Sequence, residues 1–352
     1  MSLRSSRTNS SLGLRKQFVS LQTVAIVMLL LVPTLYHRLQ EAESHEFTPT
    51  SKVQVKESGC DARIVIHYHK TGNALGHDII RSIEQRAPRF HRTAGQYRKR
   101  TGTCAVGSIN RDSFFVQTAP NYFCPIKFPP NTCVVHMVRD TFSHIISSFL
   151  YHTQDPTPEK WVHNHDPCEN NETSLHMMGE ILGLADSSIQ QIIELCKNLN
   201  NESHQYYNRL QGLNMYDGLR LEAARFMISD GWYAGSDILR LPNNILRLRE
   251  SGARILTVDM QRWYRNTTDT MSDVLNFLFR NSLDSVERVQ IIHDVEFKIR
   301  RAASGNHVTR DTISEETRNE MKGALVGDAL LGSILTHLNT IISNELQLSA
   351  DM

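Results

Sequence analysis

Ile64-Val-Ile-His-Tyr-His-Lys-Thr-Gly-Asn-Ala-Leu-Gly76 and, about 65 residues on, Val134-Val-His-Met-Val-Arg-Asp-Thr-Phe-Ser-His-Ile-Ile-Ser-Ser148 decide how this chain reads. Each opens as a short apolar run of strand character, breaks into polar residues and resumes at helical spacing. In the first, Ile64–Ile66 begins the strand, His69-Lys70-Thr71-Gly72 makes the break, and the run from Ala74 through Ile83 suits a helix. In the second, Thr132–Val138 is a buried strand, Arg139 falls at its C-terminal end, and Asp140 is placed to cap a helix starting near Phe142. Strand–turn–helix units in succession predict an α/β fold with a parallel sheet.

Both breaks suit an anion. Gly72 lets the backbone turn tightly, and the amides opening the next helix carry the positive end of its dipole. Lys70 adds a full charge. Arg139 lies where open α/β sheets hold ligands, and Ser147 follows it by eight residues, about two helical turns. The order is not that of a Walker A loop, because Lys70 precedes Gly72. Each segment alone has a plain reading: a surface lysine on an ordinary turn, or a structural Arg139–Asp140 pair with an incidental serine. Together they imply a two-ended clamp for a nucleotide with phosphates at both ends.

The chain has 352 residues, 40% of them hydrophobic, with a formal net charge of +1. That balance gives no global sign of nucleic-acid binding, so electrostatic recognition has to be local. Residues 1–17 carry Arg4, Arg7, Arg15 and Lys16 and no acid; an apolar run follows from Phe18 to Tyr36. As a helix it spans roughly 27 Å, close to the hydrocarbon thickness. The expected plan is a cytoplasmic tail (1–17), a signal-anchor (18–36), a stem (37–60) and a lumenal domain (61–348). A cleaved signal peptide and an organellar transit peptide are the competing readings.

All six cysteines follow the apolar run, which is compatible with disulfides in an oxidising lumen. Their pairing is not deducible, and Cys133 also reads as a buried thiol at a strand start. Asn171-Glu-Thr, Asn201-Glu-Ser and Asn266-Thr-Thr are glycosylation sequons. Beyond Leu175 the chain turns helical, with stretches at Ile181–Cys196, Tyr206–Ile228, Ile238–Arg249, Thr270–Phe279, Ser285–Arg300, Ser314–Leu325 and Leu330–Leu346. Arg254–Val258 is a short strand ending at Asp259.

At this point the chain resembles the sulfotransferase superfamily, which uses 3'-phosphoadenosine 5'-phosphosulfate (PAPS). The family's 5'-phosphosulfate loop is a strand, then Pro/His-Lys-Ser/Thr-Gly-Thr-Thr, then a helix; His69-Lys70-Thr71-Gly72 matches its first four positions. Its 3'-phosphate site is a strand, Arg-Asp-Pro, and a serine eight residues after the arginine; Arg139, Asp140 and Ser147 match. Ile255–Asp259 with Met271–Leu278, and Gly305–Thr309, are looser matches. Asn73-Ala74 replaces the usual hydroxyl pair, leaving backbone amides to hold the 5'-phosphate, and Thr141 replaces proline.

The resemblance implies a P-loop-NTPase-like three-layer sandwich with a helix-rich C-terminal half, PAPS as co-substrate, and a Golgi-type, type II membrane enzyme acting on a glycan or another hydroxyl-bearing acceptor. It implies that Lys70 stabilises the leaving phosphate, that Thr71, Gly72, Asn73 and Ala74 hold the 5'-phosphate, and that Arg139 and Ser147 hold the 3'-phosphate. The scheme needs no metal.

The acceptor hydroxyl needs a general base. His91, His77, Asp78 and Asp112 fall in the plausible stretch, and the arginines beside His91 favour its neutral form. Residues 86–111 hold Arg86, Arg89, Arg92, Arg98, Lys99, Arg100 and Arg111 and no acid. That run is either a groove for an acidic glycan or a solvated charge run. His163, His165 and Cys168 are too poorly spaced for zinc. Two rivals remain: a degenerate member of the same fold that binds a glycan or partner, and a P-loop-like nucleotide kinase or hydrolase using Asp259.

Overall fold

The structure, a computed structural model, describes residues 59–68, 73–92, 97–100, 103–106, 113–118, 126–154, 160–163, 168, 173–199, 205–228, 237–303 and 313–350. Residues 58–352 form one unit. Its strands in chain order are β1 (Ala62–His67), β2 (His91–Arg92), β3 (Tyr97–Arg100), β4 (Thr103–Val106), β5 (Ser113–Thr118), β6 (Ile126–Lys127), β7 (Thr132–Val138) and β8 (Arg254–Asp259). Its helices are α1 (Asn73–Arg86), α2 (Thr141–His152), α3 (Thr173–Ile181), α4 (Asp186–Asn198), α5 (Tyr206–Gln211), α6 (Met215–Ile228), α7 (Asp237–Arg249), α8 (Met260–Arg265), α9 (Thr267–Phe279), α10 (Ser285–Ala303), α11 (Glu315–Val326) and α12 (Leu331–Ala350).

The central sheet runs β2–β5–β1–β7–β8, and every pairing in it is parallel. Strand alternation sorts the core into layers. Val65, Cys133, Val135, Met137 and Val258 point to one face and are buried against Ile79 and Ile83 of α1, Leu275 of α9 and Ile291 of α10. Ile64, Ile66, Val134 and Val138 point to the other, against Leu241 and Ile245 of α7 and Ile342 of α12. The fold is therefore the expected three-layer α/β sandwich. A third cluster fills the helix-rich half, where Ile145 and Phe149 of α2 pack with Ile192 of α4, Phe226 of α6 and Leu335 of α12.

α12 also closes the β8 edge. The Thr257 amide donates to Ser349 Oγ at 3.3 Å, and Thr257 Oγ1 donates to Glu345 Oε1 at 3.2 Å. An edge strand is thereby spared pairing with another chain.

Three sequence expectations need correction. Tyr206–Ile228 is two helices, because Asn214 Oδ1 accepts the Asp217 amide at 2.9 Å and starts a new helix after the break at Gly212. Ile181 closes α3, and Gly183, at φ 70°, separates it from α4. Cys133 is no free thiol: it is bonded to Cys60, while Cys168 is bonded to Cys196. The Cys104 side chain, Cys124 and the anchor expected at 18–36 lie outside the described residues. Among the described residues no single helix is long and apolar enough to cross a membrane.

Candidate functional site

β1 and β7 are neighbours in the sheet, with Ile64 opposite Val134 and Ile66 opposite His136. Carried forward, that register brings the chain out of both strands at one level, on the C-terminal edge where open α/β sheets place ligands. β8 reaches the same edge, with Val138 opposite Asp259. Arg139 therefore leaves the sheet between the β1–α1 connection and Asp259. The two segments quoted above are brought together by strand pairing, although about 65 residues separate them in the chain.

At the first segment, β1 ends at His67 and α1 opens at Asn73. Lys70, Thr71 and Gly72 lie outside the described residues; Asn73 and Ala74 are the first two positions of α1. One turn on, a Cβ built at Gly76 would lie 2.6 Å from His67 Cδ2, so helix and strand meet more closely than any side chain permits. His67 is fully buried, and its ring lies 5.1 Å from that of His77. Burial first, and His77 second, lower the His67 pKa to about 3. The imidazole beneath this edge is thus neutral at physiological pH.

Tyr68, the last described residue before the connection, is held by a buried network. Asn244 Nδ2 of α7 donates to Tyr68 Oη at 2.9 Å, and Tyr68 Oη lies 2.7 Å from His136 Nε2. Burial lowers the His136 pKa to about 3, so its ring is neutral, and the tautomer decides whether Nε2 donates to or accepts from Tyr68 Oη. Sequence reading passed over this network. Its one signal was a polar residue, His136, inside an otherwise apolar strand.

At the second segment Asp140 caps α2 as expected. Its Oδ1 accepts the Ser143 amide at 2.9 Å, and its carbonyl accepts the His144 amide at 3.0 Å. The Thr141 amide donates to Asn339 Oδ1 of α12 at 3.0 Å. These first-turn amides are thus occupied by protein acceptors. Arg139 leaves the strand beside this helix start, and Ser147 is buried in the second turn of α2. Burial lowers the Arg139 pKa, while the neighbouring charges of Asp140 and Asp259 oppose that shift. An arginine fork remains cationic through such a shift.

Asp259 ends β8 and caps α8 by accepting the Gln261 amide at 3.2 Å. Burial raises its carboxyl pKa, and nearby Asp140 adds to the rise, against Arg139 and Arg265. Gln261 also reaches Asp140, with Nε2 at 3.5 Å from Oδ2. Gln261 and α8 were not read from the sequence. The site edge is therefore a mixed array of Arg139, Arg265, Asp140 and Asp259 rather than a purely basic cleft.

His91, the leading sequence candidate for the general base, is not brought to this edge. It opens β2 opposite Ser113, the first residue of β5, while β5 reaches the His67 level only at Thr118. That is five steps along the strand, about 16 Å at ~3.3 Å per residue. His77 and Asp78 sit on α1, near the correct end; Asp112 lies outside the described residues.

The arginine run also divides. Arg86 Nε donates to Asp294 Oδ2 at 2.6 Å, and Arg89 Nη2 to Glu287 Oε2 at 2.6 Å, so both fasten α1 and its exit to α10. Cys168 is spoken for by its disulfide, and His163 packs on Tyr207 with ring centroids 4.6 Å apart.

No protein-family model matches the sequence, and no curated protein matches it. Among solved structures, the chain is similar to a mouse sulfotransferase, SULT7A1, complexed with PAP. Identity is 12%, 80% of this chain and 89% of that chain are covered, and the TM-score is 0.32. The fold described above stands on its own strand order and register, independently of that likeness.

Proposed function

We propose that this chain transfers the sulfuryl group of PAPS to an acceptor hydroxyl. The observation that carries the reading is the in-register pairing of β1 with β7, which sets the start of the Lys70 segment beside Arg139 on one sheet edge. A nucleotide with phosphates at both ends needs two cationic stations at such a distance, each on its own strand end. The residues present suit that donor: an arginine fork and a buried hydroxyl at one end, and the sequence Lys70-Thr71-Gly72 just before α1 at the other.

Sulfuryl transfer resembles phosphoryl transfer: an in-line displacement in which charge develops on the leaving phosphate oxygen. The protein then supplies position and electrostatics. In this reading Lys70 stabilises the leaving phosphate, the backbone of residues 71–74 holds the 5'-phosphate, and Arg139 with Ser147 grips the 3'-phosphate and rejects nucleotides lacking it. The acceptor is a glycan hydroxyl. The enzyme is a type II protein of the Golgi membrane, anchored by residues 18–36 with its domain in the lumen. Sulfate transfer from PAPS to a panel of polysaccharides tests the reading. Wild type should label at least one acceptor and Lys70→Ala none. Equal labelling by both rules out the assigned role of Lys70.

A further inference from the structure

The helix that carries Ser147 also carries one side of a buried charged cluster. His152 ends α2, Tyr206 opens α5, and Glu222 and Arg225 lie on α6; all four are fully buried. Glu222 stands at the centre. Tyr206 Oη donates to its Oε2 at 2.5 Å and Arg225 Nη2 to its Oε1 at 2.6 Å, while His152 Nδ1 lies 3.1 Å from Oε1. Arg225 Nη2 also lies 3.5 Å from Ser148 Oγ. Burial opposes ionisation of Glu222, but Arg225 and His152 outweigh it and hold the carboxyl below the ordinary range.

The cluster sits on one helix contact. His144, Ser148 and His152, each one turn apart on α2, meet Phe226, Arg225 and Glu222 of α6 in turn. A Cβ at Gly218 would lie 2.6 Å from Phe149 Cε2, so backbone and ring touch along this seam. Apolar residues alone could fill it, and a buried ion pair gains little stability over them because desolvation offsets its attraction. What the pair adds is direction. Hydrogen bonds fix the rotation and slide of α2, which apolar packing leaves softer. Ser147 is the chain neighbour of Ser148 on that helix.

We propose that Glu222 and Arg225 are positioning residues, which set the rotation of α2 and thereby aim Ser147 at the 3'-phosphate. This role rests on the function proposed above. Being fully buried, neither side chain touches the nucleotide; each acts through Ser147.

A double-mutant cycle tests it, read as the calorimetric affinity of the full-length protein, in detergent micelles, for 3'-phosphoadenosine 5'-phosphate. Ser147→Ala and Glu222→Gln should each weaken binding roughly tenfold, and the two together no more than either alone. Ile291→Ala, a core change in the layer of α1 and α10, should lower the melting temperature and leave the affinity unchanged. Should Glu222→Gln melt early, the combined apolar set His152→Phe, Tyr206→Phe, Glu222→Leu and Arg225→Met keeps the seam filled and takes its place in the cycle. A folded Glu222→Gln or apolar variant that binds as tightly as wild type overturns the proposal. So do losses that multiply to roughly a hundredfold when combined with Ser147→Ala. An apolar set that fails to fold also overturns it, because the cluster then holds the fold and aims nothing. Wild type that binds no nucleotide overturns the function itself, and this role with it. Normal wild-type binding that Ser147→Ala leaves unchanged overturns the part given to Ser147, and so the part given to Glu222.

Discussion

Gly76 and His67 meet without room for a methyl group: a Cβ on Gly76 would lie 2.6 Å from the His67 ring. This contact fixes where α1 seats on the end of β1, and so where the residues between them begin and end. Gly76→Ala gains up to about 1 kcal/mol of helix propensity but overpacks a buried ring at about 1–3 kcal/mol. Overpacking wins, and the melting temperature should fall by roughly 2–4 °C. Adding His67→Ala should relieve the clash and recover part of the loss. An unchanged melting temperature for Gly76→Ala would contradict the contact.

Acid should weaken the fold through two histidines. His67 and His136 have folded pKa values lowered to about 3, against an ordinary histidine value of 6.5, chiefly by burial. Both are neutral in the fold, and the unfolded chain binds their protons first. Stability is therefore full above about pH 6.5 and is lost as pH falls from there toward 3. Each histidine contributes a slope of at most about 1.4 kcal/mol per pH unit in that window. Urea melts at pH 7, 6 and 5 should show the decline, and His136→Asn should flatten it. A stability independent of pH between 7 and 5 would refute the assignment.

The Cys60–Cys133 bond ties the starts of the two strands that carry the site, across 73 residues of chain. Replacing both cysteines by serine should cost about 2–5 kcal/mol. The urea midpoint of the double variant against wild type measures this. Peptide mapping without reductant should recover the two peptides joined, and recovery of separate alkylated peptides would disprove the pairing.

Asp140 is assigned a capping role, distinct from anion binding. Asp140→Ala should cost about 1 kcal/mol through loss of the bond to the Ser143 amide, while Asp140→Asn, an equally good cap, should cost much less. Neither should weaken an anion held by Arg139, since both remove a competing carboxylate. Equal stability of the two variants in thermal melts would count against the cap.

Much of the site scaffold was legible because its signals are local. The apolar run Thr132–Val138, its terminal Arg139 and the capping Asp140 sit within nine consecutive residues, and the structure reproduces that strand and cap. What escaped depends on partners distant in sequence. The Tyr68–His136–Asn244 network spans 176 residues, and nothing near Tyr68 announces Asn244. His91 read well as a base from its neighbours, yet its level in the sheet is set by Ser113, and register is invisible in a single strand of two residues. α8 was missed because six residues give too few turns for a periodicity, and the break at Gly212 because the capping Asn214 after it was read as helix interior.

The central claim is a two-ended clamp in which Arg139 grips a terminal phosphate beside the β1–α1 connection. Calorimetric titration of the full-length protein in detergent micelles with 3'-phosphoadenosine 5'-phosphate tests it most directly, with the Arg139→Ala variant and plain AMP as controls. The account predicts binding to wild type that is lost with AMP and lost in folded Arg139→Ala. A folded wild-type protein that binds neither nucleotide, or binds AMP equally well, would contradict it.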